Sequence, residues 1–233
     1  MHCIICKNRD IALSDLFVNL LVFSILTQQL TGGYMSKNAE NKYPNLFQDV
    51  RIARRMMWVS RGGKTGYQFH VFSVGERGTT LSVEIIREVK DGLVEKLSPY
   101  VEQCECLMTV VPGGNQWGVL LADAVNLPLT IIRDGTSHFS DEVPVKQKNH
   151  LYKRTLYFRE SMRDQKVVLI DDVISSGGTI DFVISQLRKL GAHVQCVVVV
   201  ILKGTAYLDV AEKHGIPIHG LLQVDADRVT VTK

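Results

Sequence analysis

The residues whose types and order could do chemistry lie between 167 and 179. An apolar run, Val167-Val168-Leu169-Ile170, delivers two adjacent carboxylates, Asp171 and Asp172, and Ser175-Ser176-Gly177-Gly178-Thr179 follows closely. Neighbouring carboxylates repel, and burying both without a partner is costly, so they call for hydroxyl donors or a cation. A ribose offers two adjacent hydroxyls, and Mg²⁺ at Asp171 and Asp172 would offset the charge. The glycines that follow let a backbone approach a ligand closely. A helix beginning there would aim N–H groups and partial positive charge at one point, which suits a phosphate dianion. A single strand-loop-helix unit can therefore hold a ribose 5-phosphate at both ends. An acidic turn followed by a Gly-Ser linker would leave unexplained why the acids end an apolar strand and the glycines open a helix. The lysine of a G-x-x-x-x-G-K-[ST] loop is absent, as is a dinucleotide fingerprint.

The elements needed to position this unit are legible around it. Lys166–Ile170 reads as a buried strand and Thr179–Leu190 as a helix with Ile180, Val183, Ile184 and Leu187 on one face, stopped by Gly191. Leu107–Val111 reads as a strand ending at Pro112-Gly113-Gly114, with a helix over Gln116–Val125 and a further strand over Leu127–Ile132. Val194–Leu202 is a β-branched strand, Tyr207–His214 a helix, and Ile216–Val224 with Val229–Val231 close the chain. Upstream, the apolar spacing from Thr80 to Leu97 predicts a helix with a break at Gly92. Alternating strands and helices predict an α/β fold with a parallel sheet covered on both faces. Ligands of such sheets sit beyond the carboxyl ends of the strands, which selects the loop holding Gly113 and Gly114 and the loop after Ile170. Residues 36–45 are polar and expected to be mobile. Residues 133–152 are polar without a clear period, the pattern of a lid, and Lys146, Lys148, His150 and Lys153 in and beside it could neutralise a leaving anion. Trp117 is expected in the core.

Composition bounds the function. The 233 residues are 45% hydrophobic and 22% charged with a net charge of +3, a balance that fits one large domain and gives no sign of a nucleic-acid partner. The five cysteines form no disulfide framework, and Cys3 and Cys6 lack the further pair that a zinc site needs. Reduced thiols and a cytoplasmic location are the expectation. Leu16–Leu26 is an apolar stretch of eleven residues, too short to span a bilayer. Residues 1–34 read as an extension ahead of a natural start at Met35, with the functional domain over 35–233 and no membrane partner.

The ordered segment Val167–Thr179 resembles the phosphoribosyl-pyrophosphate signature of type I phosphoribosyltransferases. Ile131-Ile132-Arg133, Glu142-Val143, Gln147, Lys153, Leu156-Tyr157, Val198–Gly204 and Val224-Asp225 resemble the archaeal-type purine members of that family. The resemblance implies a type I fold with a small hood and a flexible lid at 134–152. It implies that Asp171 and Asp172 contact the ribose hydroxyls and that Ser175, Ser176, Gly177, Gly178 and Thr179 enclose the 5-phosphate. Gly113, Gly114 and Arg133 would bind substrate, Lys146 would assist catalysis, and Mg²⁺ would travel with the pyrophosphate. The implied activity is purine salvage: a nucleoside 5′-monophosphate made from a purine base and phosphoribosyl pyrophosphate by a homodimeric enzyme. A non-catalytic sensor of phosphoribosyl pyrophosphate with the same fold, or an enzyme acting on orotate, are the alternatives. Family members commonly carry a lysine after the equivalent of Arg133, where this chain has Asp134, so either Lys146 or Lys148 takes its place or the activity is altered. The hood that reads the base is expected from residues 50–75 with Leu222–Asp227.

Overall fold

Seven β-branched or leucine residues between Val194 and Leu202, and four more from Val167 to Ile170, demand a sheet buried on both faces, and the computed structural model supplies one. It describes residues 42–59, 63–75, 79–148, 153–225 and 229–232, and of 51–71 only the backbone path. Residues 1–34, with the extension expected there, lie outside the described residues, as do His150 and the other residues of 149–152.

Strands β3 (Cys106–Val110), β4 (Leu129–Asp134), β7 (Lys166–Ile174), β8 (His193–Lys203) and β10 (Leu222–Val224) are parallel and form the centre of a nine-stranded sheet. With β5 (Glu142–Lys148), β6 (Lys153–Arg159) and β11 (Val229–Val231), its order is β11-β10-β8-β7-β3-β4-β6-β5, with β9 (Ile218–His219) alongside β8. The edges are antiparallel: β11 on β10, and β5 and β6 beside β4. A separate antiparallel pair, β1 (Arg51–Val59) and β2 (Gly63–Val71), makes a second sheet. The expected hood therefore divides. Residues 51–71 stand apart from the main sheet, but Leu222–Val224 belong to it, because β10 pairs with β8.

Val167–Ile170 and Val197–Ile201 are fully buried because helices cover both faces. On one face α4 (Gly178–Lys189) contributes Ile180, Val183, Ile184 and Leu187 to the cluster around Val167 and Leu169, joined by Val210 of α5 (Ala206–His214). On the other, α2 (Val83–Leu97) and α3 (Asn115–Val125) bury Val89, Leu93, Leu97, Trp117 and Leu121. Trp117 is core, as its apolar neighbourhood predicts. Helix α2 is not broken at Gly92. That glycine admits the ring of Tyr43, whose Cε1 would lie 2.8 Å from an added Cβ. Tyr43 introduces α1 (Pro44–Asp49), where Leu46 and Phe47 are buried. The Glu88 carboxylate accepts from the N–H groups of Asn45 and Leu46 at 3.1 and 2.7 Å. Residues 42–45 are thus ordered, against the expectation from their polarity.

The expected lid also has structure. Val143, Val145 and Gln147 alternate with the exposed Pro144 and Lys146, and β5 pairs with β6 from Glu142–Arg159 to Lys148–Lys153. The ribbon is fastened at its base by Glu142. Its carboxylate accepts from Arg133 Nη2 at 2.6 and 2.7 Å, from Ser137 Oγ at 3.0 Å and from the N–H of His138 at 2.8 Å. Burial alone would push its pKa up, but these donors together with the Phe139 N–H bring it down to about 2. A depressed carboxylate stabilises the fold above the ordinary carboxylate range, and that contribution is lost as pH falls toward about 2. Glu142→Gln is therefore expected to lower the thermal midpoint at pH 7, with the gap from the wild type closing between pH 4.5 and 2. A gap that stays constant over that range in calorimetric scans would show that the charge is not what fastens the ribbon.

Candidate active site

Strand β7 runs on through Asp171 and Asp172 to Ile174, so both acids are strand residues at the carboxyl end of the sheet. Asp171 is 9% exposed. Burial, reinforced by the neighbouring charge of Asp172, holds its carboxyl well above the usual range, and the positive charge of Arg154 offsets only part of this. The Asp171 Oδ1 accepts from the Asp172 N–H at 2.9 Å, and Asp172 Oδ1 from the Val173 N–H at 2.7 Å. Consecutive strand residues point to opposite sides, and these bonds curl both carboxylates back on the strand end.

The loop after β3 is built against them. The Val111–Pro112 bond is cis. A Cβ on Gly113 would collide with the Asp172 carboxylate, and one on Gly114 would lie 2.6 Å from the Ile170 carbonyl oxygen. Glycine at both positions is a packing requirement: the loop must lie flat on β7 to share a cavity with its acids. Gly75, beyond β2, meets Val173 in the same way, at 2.8 Å from an added Cβ. Gln116 Nε2 donates to the Val74 carbonyl at 3.1 Å, and the buried Asp49 accepts from the Ser73 N–H at 2.6 Å. These bonds fix the turn Ser73–Gly75 at the cavity wall.

After β7 the chain turns through Ser175 and Ser176, both exposed, into Gly177 at φ 73°, which caps α4. A left-handed backbone is strained for most residues but glycine, and here a side chain would also strike Val210 of α5 at 2.8 Å. The first N–H groups of a helix have no partner within it, and those of α4 begin in this loop. Asp181 in the first turn would repel an anion. It is neutralised by Lys213 Nζ at 2.7 Å and faces His214 Nε2 at 2.6 Å. Burial raises its pKa, but these two partners outweigh it and hold the carboxyl below its usual range.

The result is one cavity of about 620 Å³. Of the residues expected at the site, Gly113, Asp171, Asp172 and the whole of Ser175–Thr179 line it, and Gly114 supports it from beneath. Two others do not. Arg133 faces a separate concavity, its guanidinium bound to Glu142 and set 4.9 Å from the centre of the Tyr157 ring. Strand alternation turns it away from its neighbour Asp134, which does line the cavity. Lys146 is exposed on β5, the outermost strand of the ribbon, and is not among the lining residues. The reading of the sequence missed Arg154. It sits on β6 and reaches the cavity, with Nε on Gln147 and Nη1 on the Val111 carbonyl at 2.8 and 2.9 Å. Only the pairing of β6 with β4 could have revealed it. No group of three or more metal-ligating side chains occurs among the described residues. A cation at Asp171 and Asp172 would need oxygen ligands from its substrate.

Two consequences can be measured. A buried carboxyl whose pKa is raised by folding opposes the fold above the ordinary carboxylate range. Asp171→Asn should therefore raise the thermal midpoint by about 2 to 5 °C at pH 7. An unchanged or lower midpoint would refute that strain. Gly113→Ala displaces a side-chain carboxylate and not the backbone, so its circular dichroism should match the wild type. Its affinity for phosphoribosyl pyrophosphate should fall about tenfold, the scale of one good charged hydrogen bond, and full affinity by titration calorimetry would contradict the packing argument.

Comparison with known proteins bears on this geometry. Residues 50–215 match the family described as phosphoribosyl transferase domain. The chain is 31% identical over 174 residues to hypoxanthine/guanine phosphoribosyltransferase of Methanopyrus kandleri, covering 73% of this chain and 90% of that one. It is 29% identical over 182 residues to the protein of the same name from Methanocella paludicola, with 78% and 92% covered. Among solved structures, adenine phosphoribosyltransferase from Rhodothermus marinus superposes with a TM-score of 0.58 at 18% identity, over 79% of this chain and 99% of that one. The adenine phosphoribosyl transferase of Trypanosoma brucei gives 0.60 at 18%, with 82% of each covered. Since the matched domain takes in both loops and the two aspartates, the chain belongs to the phosphoribosyltransferase family, has its type I fold, and is an enzyme of the pentosyl-transferring class.

Proposed function

We propose that the enzyme joins a purine base to the ribose 5-phosphate of phosphoribosyl pyrophosphate, making a nucleoside 5′-monophosphate and releasing pyrophosphate. The observation that carries this is the shared cavity: a pair of carboxylates, Asp171 buried and Asp172 half-buried, stands between a loop suited to a phosphate and a loop of close-packed glycines. The names of the archaeal relatives, hypoxanthine/guanine phosphoribosyltransferases, support a purine acceptor.

Ser175–Thr179 and the start of α4 bind the 5-phosphate through backbone N–H groups and hydroxyls. Asp171 and Asp172 accept the ribose hydroxyls. Mg²⁺, held by these carboxylates and by substrate oxygens, would supply charge neutralisation for the pyrophosphate. As the bond from C1 to the pyrophosphate oxygen lengthens, the ribose gains positive charge and the two acids stabilise it. A purine nitrogen then bonds to C1, the electron pair of the broken bond leaves with pyrophosphate, and the nitrogen's proton passes to solvent. Fixing both ends of the ribose keeps C1 in line for this exchange, a contribution of position more than of chemistry. No helix among the described residues is long and apolar enough to cross a membrane; the reaction needs none.

Incubation of the protein with Mg²⁺, phosphoribosyl pyrophosphate and adenine, hypoxanthine, guanine, xanthine or orotate in turn tests the reading. Release of pyrophosphate with hypoxanthine or guanine is expected, and Asp171→Asn and Asp172→Asn should each lower the rate by at least about a hundredfold. Turnover with orotate alone would replace the purine assignment. Tight binding of phosphoribosyl pyrophosphate with no turnover on any base would make the protein a sensor.

A further inference from the structure

Asp181 stands in the first turn of α4, whose opening residues Gly178, Thr179 and Ile180 line the cavity. A carboxylate in that turn stabilises the free end of a helix, but it competes with a phosphate for the same partial positive charge. The chain resolves the competition by taking the carboxylate up on α5. Lys213 Nζ donates to both oxygens of Asp181, at 2.7 and 2.9 Å, and His214 Nε2 meets Oδ1 at 2.6 Å.

The two α5 residues differ in setting. His214 is buried and ties α4 twice, through its ring at Asp181 and through its carbonyl, which accepts from Arg188 Nη2 in the last turn. The Lys213 side chain is 58% exposed, so its charge is the part of the brace that dissolved ions can screen. The Asp181 N–H donates to the Gly177 carbonyl at 2.9 Å, which couples Asp181 to the turn that ends the phosphate loop. That turn rests on α5 as well, since Gly177 leaves no room for a side chain beside Val210. Val210, Lys213 and His214 share one face of α5 by their spacing, and that face meets the start of α4.

We propose that Lys213, acting through Asp181, is a positioning residue for the 5-phosphate. It holds the Asp181 carboxylate on α5 and offsets its charge, and so sets the affinity of the α4 N-terminus for the phosphoribosyl group. The inference rests on the place given to the 5-phosphate in the reaction proposed above. His214 keeps the carboxylate in register, and Lys213 supplies the charge.

Titration calorimetry with ribose 5-phosphate at low salt, with steady-state kinetics beside it, tests this on the full chain. Lys213→Met should weaken ribose 5-phosphate binding about threefold to fivefold, the scale of one charge at a helix end. The KM for phosphoribosyl pyrophosphate should rise to match, while kcat and the KM for hypoxanthine stay at their wild-type values. The loss should shrink at high salt, and Lys213→Arg should retain the affinity. Asp181→Asn combined with Lys213→Met should recover it, because the charge to be offset is gone and the amide oxygen still serves His214. Unchanged ribose 5-phosphate affinity in Lys213→Met at low salt would overturn the assignment. So would a double variant as weak as Lys213→Met, the outcome of a merely structural contact, or a fall in kcat with KM unmoved. The two readings fail separately. A wild type that binds ribose 5-phosphate yet transfers to no base defeats the reaction and leaves the calorimetric contrast intact. Transfer by Lys213→Met at the wild-type rate and KM defeats the role of Lys213 alone.

Discussion

Two carboxylates on consecutive residues resist being buried together, and the chain places Asp171 and Asp172 at the end of its most enclosed strand. Val167–Ile170 fix β7 between β3 and β8 under helices on both faces, so the acids cannot retreat into solvent by moving the strand. The conflict keeps Asp171 above its usual carboxyl range. The proposed ligand would relieve it by bringing hydroxyl groups and a cation. Stability is given up at one point of the molecule so that binding can recover it.

The surrounding loops answer that constraint by closeness. Gly113 and Gly114 lie against Asp172 and Ile170 with no room for a side chain, and Gly75 lies against Val173. Three segments distant in sequence thereby meet at one strand end. The phosphate loop is secured differently. Gly177 turns against Val210, and Asp181 is tied to Lys213 and His214, so α5 braces the helix whose N-terminus faces the cavity. The brace also offsets a negative charge in that helix's first turn, where the proposed 5-phosphate would bind.

Charge in the cavity is lopsided, and the antiparallel ribbon is what balances it. Strand β6 beside β4 brings Arg154 to a wall otherwise acidic, and Gln147 and the Val111 carbonyl hold it there. The same ribbon turns Arg133 outward to Glu142. Two arginines of similar appearance in sequence thus stand in different places, one fastening the ribbon and one lining the cavity.

The sequence by itself determined the chemistry of contiguous residues. Val167–Thr179 carries its strand, its acids, its glycine turn and the start of its helix in one unbroken run, so its structure could be read, and a role proposed, without knowing any partner. The α/β alternation was legible for the same reason, since periodicity is local. Of the ribbon, β6 was legible in the alternation of Arg154–Phe158, but β5 was not, because Val143, Val145 and Gln147 alternate too weakly among polar neighbours to announce a strand, and α1 was hidden because Tyr43, Leu46 and Phe47 find their cover on α2 and beyond. What only the tertiary structure decided is which charges face the cavity. That depends on strand register, where a shift of one residue reverses every side chain, and it sends Asp134 and Arg154 inward while Arg133 points away.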